Sequence, residues 1–289
     1  MLIVVGALLL GLGAIFWLAA NWQQWGRMAK FGLLQASLAG SLVAALALPR
    51  ARVAALLLAT LLLGALMAYI GQTYQTGADP WLLFAFWALL ALPWMLAARR
   101  DLLWTFWVLI AAAGIGLWIG ARPGEIFDML FGSYRQVVVD WLMWFVLVAV
   151  AYGIQRLGLA GTNAKWTLRL ALVLALVTVT TYAGMALFSE NSSMFTVGLA
   201  LVAAATAMLW VQKPRDFSAL CVAVLGLDAL LIAGWARLLA NGNFDVGILL
   251  LFGLGAAVIV GGSVTLLLKL NRDPSETSNK LHTSKADAA

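Results

Sequence analysis

The chain has 289 residues, of which 64% are hydrophobic and 10% charged, with a mean hydropathy of +0.98. Soluble globular domains keep about a quarter of their residues charged, so this composition excludes that class. The net charge of +6 gives no reason to expect nucleic-acid binding, because the lysines and arginines flank apolar runs.

Ten apolar runs follow one another along the chain. They are Leu2–Ala20, Ala29–Leu48, Val53–Tyr69, Trp81–Ala98, Leu102–Ile119, Val137–Ile154, Leu168–Phe188, Phe195–Val211, Phe217–Trp235 and Val246–Leu270. A hydrocarbon core of ~30 Å needs ~20 apolar residues as helix. In lipid every backbone N–H and C=O must bond internally, and no alternation of period two suggests a barrel. The expected fold is all-α, a polytopic integral membrane bundle of about 10 transmembrane helices. Pro49, Pro80, Pro123 and Pro214 punctuate the breaks, and Pro93 within the fourth run predicts a kink.

The runs divide the chain into a five-helix membrane half over residues 1–120 and a second over 137–270. Between them, 121–136 reads as a periplasmic loop with a short interfacial helix, since Ile126, Met129 and Leu130 recur at helical spacing beside Glu125 and Asp128. The tail, 271–289, is polar, mixed in charge and reads as disordered and cytoplasmic. Five helices per half would make the halves inverted in topology, as in several transporter folds.

Basic residues set the expected orientation. One side holds Arg50, Arg52, Arg99, Arg100, Arg156, Lys165, Arg169, Lys213, Arg215, Lys269, Arg272, Lys280 and Lys285; the other holds Arg27, Lys30, Arg122, Arg135 and Arg237. The richer side should be cytoplasmic, which places both termini inside, in a plasma membrane. Met1-Leu2-Ile3 lacks a positive n-region and Leu18-Ala19-Ala20 is a poor cleavage site, so the first helix should be retained. Trp22, Trp25, Trp81, Trp118 and Trp141 fall near the outer ends, and Trp94, Trp104, Trp166 and Trp210 near the inner ends. They read as an aromatic belt, with Trp87 the mid-span exception.

The missing residues narrow the chemistry. The single His282 lies in the tail and the single Cys221 within the ninth run, so no His or Cys metal site, catalytic triad or intrachain disulfide is expected. No cofactor and no enzymatic activity are expected; a lipid-modifying enzyme would need carboxylates such as Glu125, Asp128 and Asp140 to converge at one interface.

Two groups of polar residues remain. Asp228 lies ~16 Å along its helix, near the bilayer midplane, where an aspartate costs ~2.5–3.5 kcal/mol on insertion scales. Thr178, Thr181 and Tyr182 share a face of the seventh helix at similar depth and are its expected partners. Asp228 reads either as a protonatable coupling site or as a protonated residue making one structural interhelical bond. On the outer side, Asn21, Trp22, Gln35, Tyr69, Gln72 and Tyr74 read either as a binding cluster for a polar ligand or as capped helix ends beside a wet loop.

The opening run Gly6-Ala7-Leu8-Leu9-Leu10-Gly11-Leu12-Gly13-Ala14-Ile15, followed by Ala19-Ala20-Asn21-Trp22, resembles the bacterial membrane proteins called domain of unknown function 2157. So do Lys30, Gly71-Gln72 with Tyr74, and Trp87-Ala88-Leu89-Leu90-Ala91-Leu92-Pro93, over roughly residues 1–120. Family members usually carry a small cytoplasmic segment before the first span; either this chain lacks it or the native start lies upstream of Met1. The resemblance implies a bacterial inner-membrane protein and no particular activity.

Two functions fit these features. One is a secondary transporter or flippase for a small polar or amphipathic molecule. The other is a non-catalytic membrane scaffold or subunit, in which Gly253, Gly255, Gly261 and Gly262 pack a membrane-protein partner or a second copy in a homo-oligomer. In both cases the lipid bilayer is the main partner.

Overall fold

The computed structural model describes residues 2–20, 26–74, 77, 79–121, 134–161, 164–187, 193–212, 216–239 and 246–271. Among them, ten helices follow in chain order: α1 Leu2–Ala20, α2 Arg27–Ala47, α3 Arg52–Tyr74, α4 Pro80–Ala98, α5 Asp101–Gly120, α6 Tyr134–Arg156, α7 Trp166–Ala186, α8 Ser193–Val211, α9 Phe217–Leu239 and α10 Val246–Asn271. Nine are long and apolar enough to cross a membrane, and α1 adds 19 residues of apolar sequence. The protein is an all-helical polytopic membrane bundle.

The third helix extends beyond its sequence reading, and the fourth ends at Ala98 as read. α3 passes Tyr69 and Gly71 and continues to Tyr74. A helical glycine costs about 1 kcal/mol yet keeps its backbone bonds, so Gly71 does not end the helix. Beyond it, Gly77 takes the left-handed conformation at φ +59. α4 runs through Pro93 to Ala98 and stops where Arg99 turns left-handed at φ 48. The interfacial helix expected over 121–136 and the tail over 271–289 lie outside the described residues, apart from Ala121, the first turn of α6 and Asn271 at the end of α10.

The chain divides into two compact units, Met1–Ile126 with Val139–Leu174, and Phe127–Val138 with Ala175–Ala289. In the first, α3 packs against α1, α2, α4 and α5. Lipid tails are as apolar as leucine, so close packing and hydrogen bonds must hold such helices together. α1 meets α3 at Gly11, where a Cβ would stand 3.0 Å from Leu61 and 3.2 Å from Leu58. α4 lays Trp87 against Gly64 so closely that a Cβ there would overlap the indole.

Tryptophans tie these helices together. Thr60 is fully buried and donates to Leu56 O at 2.8 Å. Trp87 Nε1 donates to Thr60 O at 2.8 Å, and Trp94 Nε1 to Thr60 Oγ1 at 2.9 Å. Trp107 Nε1 donates to Ala88 O at 2.9 Å, linking α5 to α4. Trp104 and Trp141, 2% and 3% exposed, are interior residues and not members of an aromatic belt. Trp166, 65% exposed with the Arg169 guanidinium 5.3 Å above its ring, suits the belt.

The same unit contains a junction between distant segments. Asp101 Oδ2 accepts from Lys165 N at 3.0 Å and Trp166 N at 2.9 Å; Oδ1 accepts from Thr167 N at 3.0 Å and Thr167 Oγ1 at 2.6 Å. One carboxylate thus caps the start of α7 from the start of α5. Trp104 Nε1 donates to Leu159 O at 2.9 Å, and Gln155 Nε2 to Ala164 O at 2.8 Å, holding the α6–α7 connection. Gly161 reverses this connection at φ +92, a conformation that glycine adopts at little cost.

In the second unit, α9 packs against α8 and α10. Its Gly226 lies against α7, where a Cβ would meet Thr180 Oγ1 at 2.8 Å. Trp235 of α9 lies against Gly255 of α10 and donates to Leu251 O at 3.4 Å. No described residue of α10 is buried.

Candidate functional site

Asp228 sits in the middle of α9 and is 7% exposed, among Ala223, Val224 and Leu230 as the buried residues of that stretch. Its neighbour is on α10. Ser263 Oγ donates to Asp228 Oδ2 at 2.6 Å and also stands 2.9 Å from Val260 O, one turn back on its own helix. A serine hydroxyl has one hydrogen and two lone pairs, so it can give that hydrogen to only one of the two acceptors at a time.

This geometry accommodates both charge states. With Asp228 ionised, Ser263 gives its hydrogen to the carboxylate. With Asp228 protonated, the carboxyl donates to Ser263 Oγ and the serine hydrogen goes to Val260 O. No heavy atom has to move, and neither state leaves the hydroxyl or the proton unsatisfied.

The hydroxyl expected from α7 is placed differently. Thr181 is exposed and donates to Val177 O at 2.8 Å, the usual back-bond of a helical threonine. Thr178 and Tyr182 are half-buried on the same helix. Ser263 was missed, although depth admits it as one more candidate: it lies ~11 Å from the Leu270 end of its run, within about a turn of the ~16 Å of Asp228 from Phe217. Asp140, on α6, is a second buried carboxylate at 2% exposure. The indole nitrogens of its neighbours Trp141 and Trp144 are buried without an acceptor. Glu125 and Asp128 lie outside the described residues.

Of the outer group, Asn21 and Trp22 lie outside the described residues. Tyr69 is 3% exposed, donates to Arg27 O at 3.0 Å and packs edge-on against Phe31 at 4.9 Å. Tyr74 approaches Phe31 at 6.3 Å and is 64% exposed. Gln35 and Gln72 are exposed, and among the described residues no hydrogen bond joins them. The two tyrosines therefore gather around Phe31. Lys30 is buried at 5% exposure on the same turn of α2.

A groove opens within the second unit, and neither Asp228 nor Ser263 lines it. Phe195 and Leu199 of α8, Leu231, Gly234 and Trp235 of α9, and Ile259 of α10 line it, with a cavity volume of about 480 Å³. Leu231 is three residues from Asp228 and Ile259 four from Ser263, so each lies one turn along the same helix face.

Ten apolar helices and interior hydrogen bonds between them define a polytopic helical membrane protein. Residues 1–104 match the family model described as "Predicted membrane protein (DUF2157)", the family that the opening motifs resemble. Neither the curated proteins nor the solved structures contain a match to the chain.

Proposed function

We propose that this protein is a secondary transporter or flippase for a small polar or amphipathic molecule, non-enzymatic, with Asp228 as its coupling carboxylate. The reading rests on the Asp228–Ser263 pair: a buried carboxylate whose one side-chain donor has an alternative acceptor, Val260 O, ready for the protonated state. Intramembrane carboxylates are costly, and a purely structural bond could be made by an uncharged amide. The apolar groove whose residues Leu231 and Ile259 lie one helical turn from this pair supports an amphipathic substrate.

Complementation of a deletion strain, scored against membrane abundance, tests this. Asp228→Asn keeps size and hydrogen bonding but cannot titrate, so activity should fall at least tenfold at normal abundance, a barrier change of about 1.4 kcal/mol. Asp228→Leu should also lower abundance, because it removes the hydrogen bond that joins α9 to α10. Wild-type complementation by Asp228→Asn would end the coupling reading.

The proposed location is the bacterial inner membrane with both termini cytoplasmic, supported by the distribution of basic residues. Reporter fusions after Lys213 and Ala289 should read cytoplasmic and one after Asp79 periplasmic. A periplasmic signal at Ala289 would overturn the orientation.

The second reading, a membrane scaffold or subunit, is supported by α10. Gly253, Gly261 and Gly262 have nothing within 4 Å of where a Cβ would stand, so small residues on α10 are open to another helix.

A further inference from the structure

Among the described residues, the groove on α8, α9 and α10 has one charged residue in its lining. Its walls are apolar except at Arg237, in the last turn of α9, and among the described residues no carboxylate pairs with that guanidinium. The apolar walls extend from there to Leu230 and Ile259, and Leu230 lies seven residues, or ~10 Å, down the helix from Arg237. A cation at the helix end above an apolar slot pointing to mid-helix has the form of a phospholipid's own division into headgroup and chain.

We propose that this groove seats one acyl chain of an anionic glycerophospholipid, with the phosphate held by Arg237. The volume of about 480 Å³ falls within the ~300–1,000 Å³ of small-ligand sites. Inside a bilayer an acyl chain gains little from exchanging lipid neighbours for leucines, so the chain alone confers little preference. Selection must come from the guanidinium, whose planar fork can give two hydrogen bonds to one phosphate and faces no competing carboxylate among the described residues. A small polar solute would find one donor and otherwise apolar walls. A partner helix would need its own carboxylate at Arg237.

Gly234 provides an independent handle on the chain. It lies in the groove wall, with Phe195 Cζ 3.2 Å from where its Cβ would be. A leucine there would fill the slot and leave Arg237 unchanged. The site does not depend on transport: a lipid bound here without any Asp228-dependent movement would uphold this inference and defeat the other.

The full-length protein in detergent micelles is titrated with dioleoyl phosphatidylglycerol or dioleoyl phosphatidylcholine, and bound lipid is counted by native mass spectrometry. The two lipids share their chains and differ in net charge. Phosphatidylglycerol should be preferred by about five- to tenfold, the scale of one arginine against one anionic headgroup. Arg237→Gln should remove that preference, Arg237→Lys should keep part of it, and Gly234→Leu should lower binding of both lipids. Unchanged thermal unfolding of Arg237→Gln, an exposed position, shows that the variant is folded. Equal binding of the two lipids, or an undiminished preference in Arg237→Gln, overturns the proposal. So does displacement of the lipid by soluble glycerol phosphate, which would make this a phosphate site, or a lipid-free dimer with the groove covered.

Discussion

Gly64→Ala should destabilise the first unit, and Gly64→Leu should prevent most of it from folding. Even one methyl at this position would overlap the Trp87 indole. The ring cannot turn aside freely, because Trp87 Nε1 is committed to Thr60 O, while Trp94 is bonded to the hydroxyl of the same threonine. Relieving the overlap means moving α4 away from α3 and giving up those bonds. Overpacking costs ~1–3 kcal/mol, against the ~1 kcal/mol that alanine gains over glycine in helix propensity, so the balance is unfavourable for Ala and more so for Leu. Gly40→Ala is the control: its Cβ meets nothing within 4 Å and should gain propensity without a clash. Unfolding in mixed micelles compares the two. If Gly64→Ala resists unfolding as well as wild type, Trp87 is not what fixes α4 on α3.

Depth along each helix was legible in the sequence; rotation about the helix axis was not. The apolar runs located all ten helices, which are 19 to 26 residues long, because lipid imposes a minimum length that a soluble core does not. The same apolarity all round each helix removes the periodic signal that would show which face packs inward. Thus Asp228 could be placed near the midplane, but Ser263, its partner, could not be told from Thr178, Thr181 and Tyr182, which share that depth. Trp94 and Trp104 were read by depth as belt residues, yet their indoles turn inward to Thr60 Oγ1 and Leu159 O. Gln35 and Gln72 share a level of the membrane and were read together; the packing of Leu34, Phe31 and Tyr69 leaves both amides exposed. Asp101 was unreadable for a different reason. Beside Arg99 and Arg100 it reads as an acidic residue opening its own helix, and its partners lie 64 to 66 residues further on.

Asp101→Ala should release the start of α7. The substitution removes the acceptors of three backbone N–H groups and one hydroxyl. Losing an N-cap costs ~0.5–2 kcal/mol, and a hydrogen bond to a charged group contributes ~1.5–3 kcal/mol net. The site is only partly buried, so water replaces some of these bonds, and a net loss of about 2–3 kcal/mol is expected. The negative charge also lies in the first turn of α5, where it favours that helix end, so both helices lose by its removal. Asp101→Asn retains one acceptor oxygen and should fall between alanine and wild type. Hydrogen exchange at the amides of Lys165, Trp166 and Thr167 reports the effect directly. Protection should drop by about 30-fold or more in Asp101→Ala, matching a loss of about 2 kcal/mol at ~1.4 kcal/mol per tenfold. The amides of α3 around Thr60, held by Trp87 and Trp94 and not by this carboxylate, should keep their protection. Equal loss at both places would mean that Asp101 holds the whole unit together and not one helix end. Unchanged exchange at Lys165 and Thr167 would mean that water caps α7 as well as the carboxylate does.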